Sequence, residues 1–241
     1  MSLETKRLGL IVPSSNTTME TEYRSVLPEG FTLHTARVRL KEVTVEALIE
    51  MERGVEEEAL KLADAHVDVI GYGCTSGSLV KGLGHDREIV ARIEKTTGIP
   101  AVATAGAVVE ALNALGVRRV AVATPYIDEI NTLEKEFLEA NGFEVVDIEG
   151  LKIVDNTRIG VVAGSEVIRL VRALRHDRAS GVFVSCTNLP TTPVIERLET
   201  ELRKPVVSSN TATLWSMLRK CRSSVGIRGL GRLFKPPQPS D

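Results

Sequence analysis

The sequence predicts an α/β protein of two pseudosymmetric lobes, each a parallel sheet flanked by helices, with its functional site in the interlobe cleft. Two observations carry this expectation. Short β-branched runs alternate with longer stretches of helical pattern, as in parallel sheets covered on both faces. Landmarks then recur at one spacing. Pro13 and Pro125 each follow a strand-like run and lie 112 residues apart. Cys74-Thr75 and Cys186-Thr187 each end another such run, also 112 apart. Two independent landmarks at one spacing argue for duplicated halves. A looser pair, Ile99-Pro-Ala-Val-Ala and Lys204-Pro-Val-Val-Ser, agrees. The lobes are expected at residues 1–115 and 116–241, with the last helix placed to cross back onto the first lobe.

The elements follow in order. Apolar runs at residues 8–12, 67–72, 101–104, 120–123, 181–185 and 206–208 read as strands. Residues 31–40 alternate through Phe31, Leu33, Thr35 and then Val38, which suggests a further strand; 142–148 is its counterpart in the second half. Helical pattern occupies 17–26, 45–65, 86–97, 105–115, 128–140, 165–175, 190–202 and 211–220. Only the tail, 235–241, reads as loose.

Composition narrows the function. Of 241 residues, 43% are hydrophobic and 26% charged, as in ordinary globular chains. Thirty basic residues against 32 acidic leave a net charge of −2, which argues against nucleic acid as a partner. No apolar run approaches the ~20 residues that span a bilayer. The first residues lack the pattern of a signal peptide, so the expected compartment is the cytosol. The four histidines are dispersed without metal-ligand spacing, so no metal is expected. Gly71-Tyr-Gly73-Cys-Thr-Ser-Gly77 departs from the dinucleotide loop, and no phosphate loop is present. No cofactor is expected.

Chemistry is sought instead at the cysteines. Three are too few and too scattered for a disulfide framework. Cys221 reads as a packing residue. Alone, Cys74 or Cys186 would read as a small buried core residue. A matched pair, each before threonine at a strand end where open sheets place ligands, points to chemistry. A thiol acts as nucleophile or base only as thiolate. Thr75-Ser76-Gly-Ser after Cys74 leads into a possible helix, and Pro190 after Cys186 is placed as a first-turn residue. Helix N-termini lower thiol pKa and bind anions, so an anion-binding loop is expected at each thiol. Such a loop suits a carboxylate, including one on which charge develops.

Polar loop residues add candidates. In Pro13-Ser14-Ser15-Asn16-Thr-Thr, Ser14 or Ser15 either caps the next helix or contacts a ligand. Asn16 either donates to a carboxylate or shapes a turn. Tyr126 lies in the equivalent loop of the second half, before Asp128 as the expected N-cap, and its phenol can donate into the cleft. Asn156, between Asp155 and Thr157, is as readily a capping residue as a ligand contact.

Several segments carry a resemblance. They are Pro13-Ser-Ser-Asn-Thr-Thr-Met-Glu-Thr-Glu22, His34-x-x-Arg37-x-Arg39, Val67-Asp-Val-Ile-Gly-Tyr-Gly-Cys74, Ala105-Gly-Ala-Val-Val-Glu-Ala-Leu112, Pro125-Tyr126 and Asp155-Asn156. On these the chain resembles maleate cis–trans isomerase of the aspartate/glutamate racemase superfamily. Thr75-Ser76, Tyr126-Ile-Asp, Pro205-Val-Val-Ser-Ser and Gly231-Arg-Leu-Phe234 resemble arylmalonate decarboxylase, which has glycine at the first cysteine's place. The resemblance implies a cofactor-independent enzyme, a small dicarboxylate substrate and a homodimer or higher homo-oligomer. It implies that Cys74 adds to an alkene carbon while Asn16, Tyr126 and Asn156 hold carboxylates. Cys186 would act as acid or second carboxylate contact. Thr75 and Thr187 would donate hydrogen bonds, with Ser14 and Ser76 also lining the substrate. The same two thiols would equally serve a racemase or epimerase of amino acids or hydantoins. Malonate decarboxylation is a third reading. A non-catalytic two-lobed binding protein for small acids would leave the matched thiols without a purpose.

Overall fold

The computed structural model describes residues 5–235; all but the first residue of the loose tail lies outside them. Two four-stranded parallel sheets share one topology. The first contains β1 (Lys6–Pro13), β2 (Phe31–Val38), β3 (Val69–Tyr72) and β4 (Ala101–Ala103), in the order β2-β1-β3-β4. The second contains β5 (Arg119–Thr124), β6 (Glu144–Gly150), β7 (Gly181–Val184) and β8 (Val206–Ser208), in the order β6-β5-β7-β8. The duplicated landmarks are thus duplicated positions, after the first and third strand of each sheet. The inner strands β3 and β7 are buried along their whole length, which is why they read as continuous apolar runs.

Helices cover both sheets: α1 (Met19–Val26), α2 (Val45–Met51), α3 (Val55–Asp64), α4 (Thr75–Leu79), α5 (His85–Thr97), α6 (Thr104–Ala114), α7 (Asp128–Ala140), α8 (Asn156–Ile159), α9 (Gly164–Ala173), α10 (Ile195–Leu202) and α11 (Ser209–Lys220). None is long and apolar enough to cross a membrane, among the described residues.

Three expectations need correction. The helix expected over 45–65 is two, separated by a 3₁₀ turn at Glu52–Gly54. Glycine is a weak helix former, and Glu52 is buried there in an ion cluster with Lys81 and Arg92. The helix expected from 190 begins late. Pro190 lies outside it, a 3₁₀ turn spans Thr192–Val194, and α10 follows. The amides of Thr191 and Thr192 instead donate to the Glu22 carboxylate on α1, at 2.6 and 2.8 Å. The N-cap of α7 is Ile127 rather than Asp128. Asp128 occupies the first turn, where its charge suits the helix dipole, and pairs with Lys152 at 3.0 Å.

Two features join the halves over the site. Past β2 the chain crosses to the segment before α8. The Val43 amide donates to the Val154 carbonyl at 2.9 Å and the Asn156 amide to Lys41 at 3.1 Å. Between them Glu42 and Asp155 form an isolated antiparallel bridge. The last helix, α11, crosses back as expected and packs on α6, β3 and β4. It approaches so closely because Gly71 has no side chain: a Cβ there would come within 2.6 Å of the Met217 sulfur.

Candidate functional site

Both thiols lie at the carboxyl ends of inner strands, buried between the sheets. Cys74 is the extended N-cap of the short helix α4. Its sulfur accepts the Gly77 amide at 3.3 Å and lies 3.9 Å from the Ser76 hydroxyl. Gly77 has to be glycine. A Cβ there would sit within 2.9 Å of the Cys74 sulfur, the Tyr72 hydroxyl and the Met51 methyl. The buried Tyr72 hydroxyl has no hydrogen-bond partner among the described residues.

Cys186 follows Ser185 in a different geometry. Its φ of +90° lies in the left-handed region that non-glycine residues avoid. Contacts on each side hold it there. Its amide donates to the Ser209 hydroxyl at 3.0 Å, and its sulfur accepts the Asn188 amide at 3.4 Å. The Tyr126 hydroxyl hydrogen-bonds the same sulfur. Behind it, the Ser185 hydroxyl donates to Glu134 Oε1 at 2.6 Å. Glu134 is fully buried and its Oε2 has no partner among the described residues.

Electrostatics run against the expected lowering of the thiol pKa values. Burial pushes the Cys74 thiol up to about 11, against the Gly77 amide and Ser76 hydroxyl, which lower it. Burial pushes Cys186 up to about 12, against the Tyr126 hydroxyl and the Asn188 amide. The expected helix N-terminus at Cys186 is missing, and at Cys74 one short helix is outweighed by desolvation. Burial raises Tyr126 well above its ordinary value, so it stays a donor. Burial also lifts Glu134 to about 8, opposed only by Ser185.

One hydrogen-bonded network ties these groups across the halves. Asn16 Nδ2 donates to the Thr187 hydroxyl at 3.1 Å, and Thr187 donates to the Gly73 carbonyl at 2.9 Å. The Thr75 hydroxyl donates to Ser209 at 2.8 Å. Asn156 Nδ2 donates to Ser15 at 2.8 Å, and Asn188 Nδ2 to the Asn156 carbonyl at 2.6 Å. Cys74, Cys186, Asn16, Thr75, Ser76, Tyr126, Asn156 and Thr187 therefore converge. Ser14 does not join them. It is exposed, and its hydroxyl pins the Leu40 carbonyl and amide at 3.2 and 3.1 Å. Neither serine caps α1, whose N-cap is Thr18; Asn16 Oδ1, just before it, accepts the Thr18 and Met19 amides at 3.0 Å each. At α8 the cap is Asp155, through the Thr157 amide.

Sequence reasoning missed Ser209, Asn188 and Glu134. A signal for the first was present: Ser-Ser-Asn-Thr occurs twice, at 14–17 and 208–211. Among the described residues no group of three or more His, Cys, Asp or Glu is placed to hold a metal. The arrangement offers a sulfur nucleophile, a second thiol acid from the other half and amide and hydroxyl donors for anionic oxygens.

Comparison with known proteins agrees with this geometry. A family model described as arylmalonate decarboxylase matches residues 8–234. The maleate isomerase of Nocardia farcinica is 35% identical over 240 residues, covering 95% of this chain and 96% of its own. A cysteine-to-alanine variant of the Pseudomonas putida S16 maleate isomerase, solved with maleate, has TM-score 0.93 at 34% identity, over 95% of this chain and 97% of that one. A cysteine-to-serine variant of the Nocardia farcinica enzyme, solved with a covalently bound succinylcysteine intermediate, has TM-score 0.92 at 33% identity, over 95% and 98%.

Proposed function

The chain belongs to the arylmalonate decarboxylase family, and from that premise we infer that it is a cysteine-dependent maleate cis–trans isomerase. The observation that carries this reading is the meeting of two buried thiols from equivalent strand ends, beside amide and hydroxyl donors. A succinylcysteine in a similar enzyme supports sulfur addition to the substrate.

In this reading the Cys74 thiol first releases its proton to water, and the sulfur then attacks C2 of maleate as thiolate. A carbon–sulfur bond forms, and the π pair moves to C3 and its carboxylate. Donation by Asn16, Tyr126, Asn156, Thr75 and Thr187 stabilises the added charge. The Cys186 thiol delivers a proton to C3, leaving its own thiolate. The C2–C3 bond is now single and rotates. Cys186 then recovers the proton, the π bond re-forms and Cys74 departs, leaving fumarate. Atoms and electrons balance without metal, flavin or nicotinamide. Ser76 contacts the Cys74 sulfur, and Ser14 acts only through Leu40.

The division of the chain into lobes at residues 115 and 116 is supported by the two sheets. A homodimer or higher homo-oligomer is the proposed assembly, on the resemblance alone, and sedimentation of the purified chain tests it. Proton NMR with maleate in D2O tests the activity. Conversion to fumarate is expected, and deuterium at the vinylic position would trace the Cys186 proton. An unchanged maleate spectrum would overturn the reading.

A further inference from the structure

We propose that Glu134 is a positioning residue for the Cys186 half of the site, clamping Ser185 and so fixing the left-handed turn that presents the Cys186 thiol. The proposal rests on the reading of Cys186 as a participant.

The turn at Cys186, with φ of +90°, persists only if its surroundings over-determine it. Ser209 holds its amide at 3.0 Å and Asn188 approaches its sulfur at 3.4 Å. The Cys186 carbonyl accepts the Leu189 amide at 3.2 Å, and the amide of the preceding Ser185 donates to the Ala123 carbonyl at 2.8 Å. Ser185 is tied by its hydroxyl to Glu134 at 2.6 Å, across from β7 to α7. Without that bond Ser185 is held only by its amide on Ala123, and the residue before the strained turn loses its side-chain restraint.

Glu134 is otherwise hard to explain. It is fully buried, and its second oxygen meets no donor among the described residues. One turn further along α7, Phe137 packs with Leu79 and Ala105 in an apolar cluster. Packing alone would favour leucine at 134, since a buried carboxyl with one oxygen unpartnered is costly. A locally unfavourable residue beside a strained turn is the pattern of a functional site. The carboxyl also interacts electrostatically with Tyr126, which hydrogen-bonds the Cys186 sulfur.

The test compares wild type, E134L, E134Q and S185A in the full chain. Iodoacetamide labelling is resolved by peptide mass spectrometry, with Cys221 as the internal reference, beside kcat and KM for maleate. Losing one buried hydrogen bond is worth about tenfold. In E134L, Cys186 labelling is expected to speed up about tenfold relative to Cys221. Its kcat falls by about tenfold or more while KM stays within about twofold. The melting temperature rises. S185A removes the same bond from its other end and reproduces the labelling and kcat changes. E134Q, whose amide oxygen accepts the Ser185 bond, recovers most of the loss. A purely structural role would instead speed all three thiols together. Unchanged Cys186 labelling in E134L, or E134Q as impaired as E134L, would overturn the proposal. If wild type leaves maleate untouched, the isomerase reading fails while the labelling series still decides the role of Glu134.

Discussion

Replacing Glu134 by glutamine should change how the stability of the fold responds to pH. In the unfolded chain this carboxyl ionises near 4.5, and in the folded protein burial lifts it to about 8. Between those values the folded state keeps a proton that the unfolded state has lost. Stability from this residue is therefore complete below about pH 4.5 and declines until pH passes 8. At ~1.4 kcal/mol per pKa unit the full swing is about 4–5 kcal/mol, a large share of the ~5–15 kcal/mol that holds a domain together. Glutamine does not titrate, so E134Q lacks this contribution, and the difference between the two proteins isolates it from Asp86 and Glu199, which burial also raises. Urea unfolding at pH 5, 7 and 8.5 supplies the assay. Trp215, the one tryptophan, packs under Arg219 and reports by fluorescence. E134Q should gain several kcal/mol on wild type between pH 5 and 8.5. Parallel stability curves would refute the reasoning, because they would mean that Glu134 is ionised or solvated in the fold.

Three further outcomes are expected. With pKa values of about 11 and 12, Cys74 and Cys186 should label on the order of a hundredfold and a thousandfold more slowly than a free thiol at pH 7, respectively, and both should accelerate about tenfold per pH unit up to 11; labelling at the rate of glutathione would contradict the burial account. Gly77→Ala should destabilise by about 1–3 kcal/mol and lower kcat, because its Cβ would sit against Met51, Tyr72 and Cys74; an unshifted urea midpoint would show that those groups yield freely. Ser209→Ala orphans the Thr75 hydroxyl and the Cys186 amide together and should cost about 1–3 kcal/mol, with turnover falling; a stable, fully active variant would show that neither bond matters.

Much of this arrangement was legible in the chain itself. Period and spacing located the strands and paired Cys74 with Cys186, because the inner strands are buried on both faces and the halves share one topology. Local rules failed where a partner distant in sequence intervened. Pro190 resembles a helix start, but Glu22 takes the amides that follow it. Ser14 resembles a cap, but Leu40 takes its hydroxyl. The helix N-terminus argument for low thiol pKa lost to desolvation, a property of depth that no local pattern encodes. Glu134 was invisible for the same reason: on α7 it sits among exposed acids of the same helix, and only the fold shows it facing inwards.

The close seating of Met217 on Gly71 sets an order of events during synthesis. The first sheet is complete in sequence at Ala103, yet the helix that covers part of it ends only at Lys220. A ribosome adding ~5–20 residues each second needs on the order of ten seconds to supply that stretch. Through that interval the emerging amino-terminal half carries a bare apolar face. Its final shape waits for the codons of α11, so the two halves mature together rather than one after the other.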